Sequence, residues 1–165
     1  MQLFLLNTLT VVTSKICLLL MVAFLAIDIE ASAQKKSFKQ GIKGKVIWKA
    51  GNLMPSPDAP SRLATGTPVV REVYIYELTS SKQAETDEGG VFYKNIQTKL
   101  IKKVKSDKKG NFCVGLAPGY YSVFVKEDKG LYANLFDDAM NLNPIHISQG
   151  KWEKQDLVID HEAVY

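Results

Sequence analysis

The chain has 165 residues, 46% hydrophobic and 23% charged, with 21 basic against 17 acidic side chains and a net charge of +4. That is one domain's length, with the apolar share of an ordinary globular protein. Only two cysteines and two histidines are present, which excludes a disulfide scaffold and leaves a zinc site short of ligands.

In chain order, Lys15 precedes the apolar run Ile16–Ile27, and Ala31-Ser32-Ala33 follows it. A basic flank, a short apolar core and a small-x-small site predict a secretory signal peptide over 1–33. The run falls short of the ~20 residues a membrane span needs; a retained N-terminal anchor is the alternative. Cys17 stands before the apolar core, so no lipid anchor is expected, and cleavage leaves Cys113 alone, read as a small buried hydrophobe in a strand. Removing Lys15, Asp28 and Glu30 leaves the rest at about +5. Its lysines cluster at Lys35, Lys36 and Lys39 and again at Lys99–Lys109. An exported chain is not expected to meet nucleic acid, and these lysines suit a solvated face that blocks edge pairing.

Residues 34–40 read as a flexible lead and 41–165 as the folded domain. Ile42, Gly44, Val46 and Trp48 alternate with Lys43, Lys45, Ile47 and Lys49, the period of a strand with one buried face. Residues 49–68 hold four of the six prolines. A connection this long is often functional, and Asn52, Leu53, Met54 and Pro55 form its candidate recognition segment. Val69–Leu78 is apolar on both faces and is expected to be a central strand, with Tyr74 and Tyr76 as further candidate binding residues. Thr79–Gly90 reads as an exposed loop, and Val91–Thr98 as a short strand or a crossing loop.

The stretch Leu100–Lys126 predicts three strands joined by two tight turns. Asp107 and Gly110 suit a bulged hairpin loop. Pro118 and Gly119 suit the two corners of a type II turn. Tyr121, Val123 and Val125 alternate with Tyr120, Ser122 and Phe124, so the third strand is expected to be covered on both sides. Leu131–Phe136 reads as a strand or a helical turn; Ile145 and Ile147 mark a strand with His146 outward. Leu157 and Ile159 mark the last strand. The count is about seven strands: an all-β Greek-key sandwich.

Asp107-x-x-Gly110-x-Phe112, then Leu116-x-Pro118-Gly119-x-Tyr121-x-Val123, resembles the carboxypeptidase regulatory-like domain over Gly41–Tyr165. The resemblance implies a transthyretin-like, immunoglobulin-like β-sandwich, and its residues carry turn and core chemistry with no activity. Intradiol dioxygenases share a similar run on a related sandwich, but their His-x-His iron pair reads His146-Ile147-Ser148 here. The hydroxyisourate hydrolases end in Tyr-Arg-Gly-Ser, where this chain ends His161-Glu162-Ala163-Val164-Tyr165. No zinc-peptidase motif, nucleophile elbow or phosphate loop is present. The expectation is a non-catalytic binding or accessory module of the cell envelope, periplasmic or extracellular. It needs no cofactor and no metal, and its partner is an envelope protein or a glycan.

Overall fold

A computed structural model describes residues 39–54 and 65–165. The signal peptide, residues 34–38 of the lead and Pro55 lie outside the described residues.

The described chain is an all-β sandwich. Its strands are β1 (Gly41–Asn52), β2 (Thr67–Pro68), β3 (Glu72–Glu77), β4 (Glu85–Thr86), β5 (Phe92–Lys94) and β6 (Leu100–Lys105). There follow β7 (Asn111–Gly115), β8 (Gly119–Glu127), β9 (Gly130–Tyr132), β10 (Pro144–Ile147), β11 (Trp152–Lys154) and β12 (Leu157–Val164). Seven of these, β1, β3, β6, β7, β8, β10 and β12, have four residues or more, in line with the seven predicted.

β1 is the spine of the smaller sheet. Its first half pairs with β7 on one side and β11 on the other; its second half pairs with β2 and, in parallel, with β12. β11 and β12 thus act as one edge strand broken at Gln155-Asp156. Gly44 sits where the break crosses β1. A Cβ there would lie 1.8 Å from the Gln155 carbonyl oxygen, so no side chain fits.

β8 is the spine of the larger sheet, ordered β4-β5-β9-β8-β3-β6, with β10 beside the first half of β8. Period-two alternation explains its position. Tyr121, Val123 and Val125 join Val73 and Ile75 in the core between the sheets, with Ile42, Val46, Leu157 and Ile159 facing them from the smaller sheet. Each fully buried Val or Ile side chain contributes about 1.5–3 kcal/mol relative to exposure. On the opposite face, Phe124 packs with Tyr93, Ala133 and Leu142 in a second cluster, with Tyr74 and Tyr76 against it.

Five expectations are corrected. The strands of Leu100–Lys126 exist, but they are not hairpins: β6 and β8 belong to the larger sheet and β7 to the smaller. Both connections are arches between the layers. For that reason Gly119, expected as a left-handed turn corner, is instead the first residue of β8 with φ 151°. The long connection begins at Leu53, because β1 runs on to Asn52 through an irregularity between Trp48 and Ala50. Thr79–Gly90 is not simply a solvated loop. Thr79 is fully buried, and its N–H donates to the Ser122 hydroxyl at 2.9 Å. Cys113 is free and exposed, because Phe112 and Val114 take the inward face of β7.

Candidate functional site

The outer face of the larger sheet is built from the register upward. Tyr74 on β3 lies opposite Phe124 on β8. Two residues along β8 and therefore on the same face, Lys126 lies opposite Leu131 on β9, which in turn lies opposite Tyr93 on β5. Above the buried Phe124, Tyr74, Lys126, Leu131 and Tyr93 of this row line a cleft of about 470 Å³ together with Tyr76, Lys94 and Lys129, a volume in the range of small-ligand sites. Asn95 and Asp128 complete its lip.

The floor is held by aromatic contacts. Phe124 meets Tyr76 edge-on at 5.7 Å and Tyr93 at 6.1 Å between centroids, the edge-to-face geometry that ring quadrupoles favour. Two segments wrap this face and join each other: the Leu142 N–H donates to the Thr79 carbonyl at 2.8 Å, and Ser80 bridges to Asn141. At the lip, Asn95 adopts φ 48°, a left-handed conformation that Asn tolerates better than most residues. Its amide donates to Glu85 Oε2 at 2.8 Å.

The three hydroxyls differ. Tyr93 donates to the Gly90 carbonyl at 2.8 Å and Tyr74 to Glu72 Oε2 at 3.2 Å. The Tyr76 hydroxyl has no hydrogen bond to another described residue. Burial pushes the Tyr76 and Tyr93 phenols above their ordinary range, so both remain protonated donors at neutral pH. Lys103 lies 5.0 Å from the Tyr74 ring centroid and 3.0 Å from Glu72 Oε1; its hydrogen bond holds the Glu72 carboxyl below its usual range. Lys129 lies 5.5 Å from the Phe92 centroid. Among the described residues neither Lys94 nor Lys126 has an ion-pair partner.

The predicted residues divide. Tyr74 and Tyr76 come together in this cleft. Asn52, Leu53 and Met54 do not line it. They lie at the end of β1 in the other sheet, where the Leu53 N–H donates to the Val164 carbonyl at 2.8 Å and Asn52 Oδ1 accepts from the Met54 N–H at 2.9 Å. Met54 is 52% exposed. Tyr93 was not among the sequence candidates. Its strand has three residues, too few for a period to register, and Phe92 and Tyr93 are buried in different clusters on opposite faces.

The two histidines are separated. His146 is outward, as expected, and stacks on exposed Tyr120 at 4.4 Å between centroids. His161 is enclosed by Trp48, Phe92 and Tyr132 at 5.0, 4.9 and 5.5 Å. Its Nε2 is buried without a hydrogen bond, 3.9 Å from Glu127 Oε2, while Arg71 holds the other Glu127 oxygen at 2.6 Å. Among the described residues no three His, Cys, Asp or Glu side chains are grouped as a metal site requires.

A smaller cleft of about 290 Å³ lies beside β12. Its principal polar group, Asp160, already accepts from Tyr132, Tyr165 and Asn134 at 2.6, 2.6 and 2.9 Å. Burial works against the Asp160 carboxylate, yet these hydrogen bonds hold it below its usual range. Its hydrogen-bonding capacity is largely spent internally, whereas the tyrosine cleft keeps a free phenol and unpaired ammonium groups.

Comparison with family models, with curated proteins and with solved structures found no match to this chain. Among the described residues no helix is long and apolar enough to cross a membrane.

Proposed function

We propose that this chain is a non-catalytic, exported β-sandwich module of the cell envelope that binds saccharide through the cleft of Tyr74, Tyr76 and Tyr93. The motif shared with the carboxypeptidase regulatory-like domain supports an accessory role for the sandwich, and the run at 16–33 supports export. The single observation that carries the binding reading is the cleft itself. It is concave, with the half-buried rings of Tyr74 and Tyr76 in its wall and hydrogen-bonding groups at its edge. A purely structural partner would favour a flat apolar face or an open sheet edge. Sugar rings present apolar C–H faces and a girdle of hydroxyls, which suit an amphipathic tyrosine surface.

The test is a glycan array followed by calorimetric titration of the best binder. Tyr76→Phe, which keeps the ring against Phe124 and removes the free hydroxyl, is expected to weaken binding about fivefold with little change in melting temperature. An array blank across neutral and acidic glycans would remove the saccharide reading.

A further inference from the structure

We infer that the cleft selects saccharides bearing an anionic group, a uronate carboxylate or a sugar sulfate, over their neutral counterparts. This rests on the saccharide-binding reading above and adds the ligand's charge to it.

The lining carries three lysines against one aspartate, and they come from different walls: Lys94 from β5, Lys126 from β8 and Lys129 from the turn between β8 and β9. By strand alternation Lys126 lies on the face that carries Phe124, whereas Lys94 shares the face of Phe92 opposite Glu85 and Lys129 lies over the Phe92 ring, so Lys126 is the ammonium group that an anion in the cleft meets. Most acidic groups nearby are already engaged: Glu72 is paired with Lys103 and Glu85 accepts from Asn95. Lys126 has no such partner among the described residues, so its charge is free to be answered by a ligand. Charge-assisted hydrogen bonds are about twice as strong as neutral ones, and a cleft with low-dielectric aromatic walls concentrates the field of its rim. Lys126 shares a cross-strand row with Leu131 and Tyr93. A sugar ring resting over that row would bring a carboxylate within reach of Lys126, with the Tyr76 hydroxyl left to donate and Asp128 to accept from ring hydroxyls.

The discriminating probe is an oligogalacturonate and its methyl ester, the same sugar with and without charge, titrated into the purified protein. The acid is expected to bind about tenfold tighter than the ester, with the difference shrinking at high salt. Lys126→Gln is expected to weaken the acid about fivefold and so to narrow the gap between acid and ester. Equal binding of acid and ester, or an acid-to-ester gap unchanged in Lys126→Gln, would overturn the charge inference while leaving the saccharide reading intact. Binding of neither form, with no neutral glycan bound, would overturn that reading instead. Capture by anionic phospholipid vesicles without oligosaccharide binding would overturn both.

Discussion

Two loops of this protein are closed by the same clamp and do different work. In Asp107–Asn111, the Asp107 carboxylate accepts from the Lys109 and Asn111 N–H groups, each at 2.8 Å, and from the Asn111 amide. In Asp137–Asn141, the Asp137 carboxylate accepts from the Ala139 and Asn141 N–H groups at 3.0 and 2.9 Å and from the Asn141 amide at 2.8 Å. The fourth residue is left-handed in both, Gly110 at φ 76° and Met140 at φ 60°. The first loop sends its strands to different sheets. The second closes a hairpin, with Phe136 bridged to Leu142. Local hydrogen bonding fixes the loop, while the apolar pattern of the flanking residues decides whether the strands stay together or part.

The comparison is broken most severely at Gly110. Its carbonyl accepts from the Val46 N–H at 2.9 Å, which ties the arch to β1, and a Cβ would sit 2.6 Å from the Val46 carbonyl oxygen and 3.1 Å from Pro68. Gly110→Ala combines left-handed strain with a backbone clash, so we expect a loss of about 2–4 kcal/mol in urea unfolding. A loss under about 1 kcal/mol would mean that the arch yields easily and is not anchored at this contact.

The clamps themselves respond to acid. Hydrogen bonds from the Asn111 side chain and backbone hold the Asp107 carboxyl below its ordinary 3.8, and Asn141 does the same for Asp137. A depressed carboxyl contributes stability that is complete above its unfolded value and is lost as pH falls through its folded one. Both clamps therefore weaken below about pH 4. Replacing both aspartates by alanine is expected to lower the urea midpoint at neutral pH and to flatten its fall on acidification. Both groups are exposed, so the effect is smaller than that of Gly110→Ala. An unchanged acid slope in the double variant would show that other carboxylates set it.

The same pair of loops shows what was legible in the sequence. Asp107-x-x-Gly110 carries its left-handed residue openly. Asp137-x-x-Met140 does not, because methionine gives no sign of positive φ. Strong alternation made β3 and β8 readable as central strands covered on both faces, which also identified Tyr74 and Tyr76. What alternation does not encode is the sheet to which each strand belongs. Phe112 and Val114 point inward from either layer, so the arches looked like hairpins. The third tyrosine was hidden for the opposite reason: Tyr93 depends on β9 and on the wrapping segments, contacts made by distant parts of the chain.

The smallest effect sharpens the contrast most. Met140 is 52% exposed, so little packing is lost when its side chain is removed. Left-handed backbone costs a residue with a Cβ roughly 1–2 kcal/mol, and glycine escapes that cost. Glycine also has a freer unfolded chain, which takes back about 0.4–1 kcal/mol. The difference favours Met140→Gly by about 0.5 kcal/mol, readable as a higher urea midpoint at unchanged slope. If the variant is less stable, the Met140 side chain holds the hairpin tip through contacts worth more than the strain. If it is more stable, methionine stands at a strained, solvent-facing position against its own backbone preference, and the clamp of Asp137 and Asn141 alone suffices to keep it there.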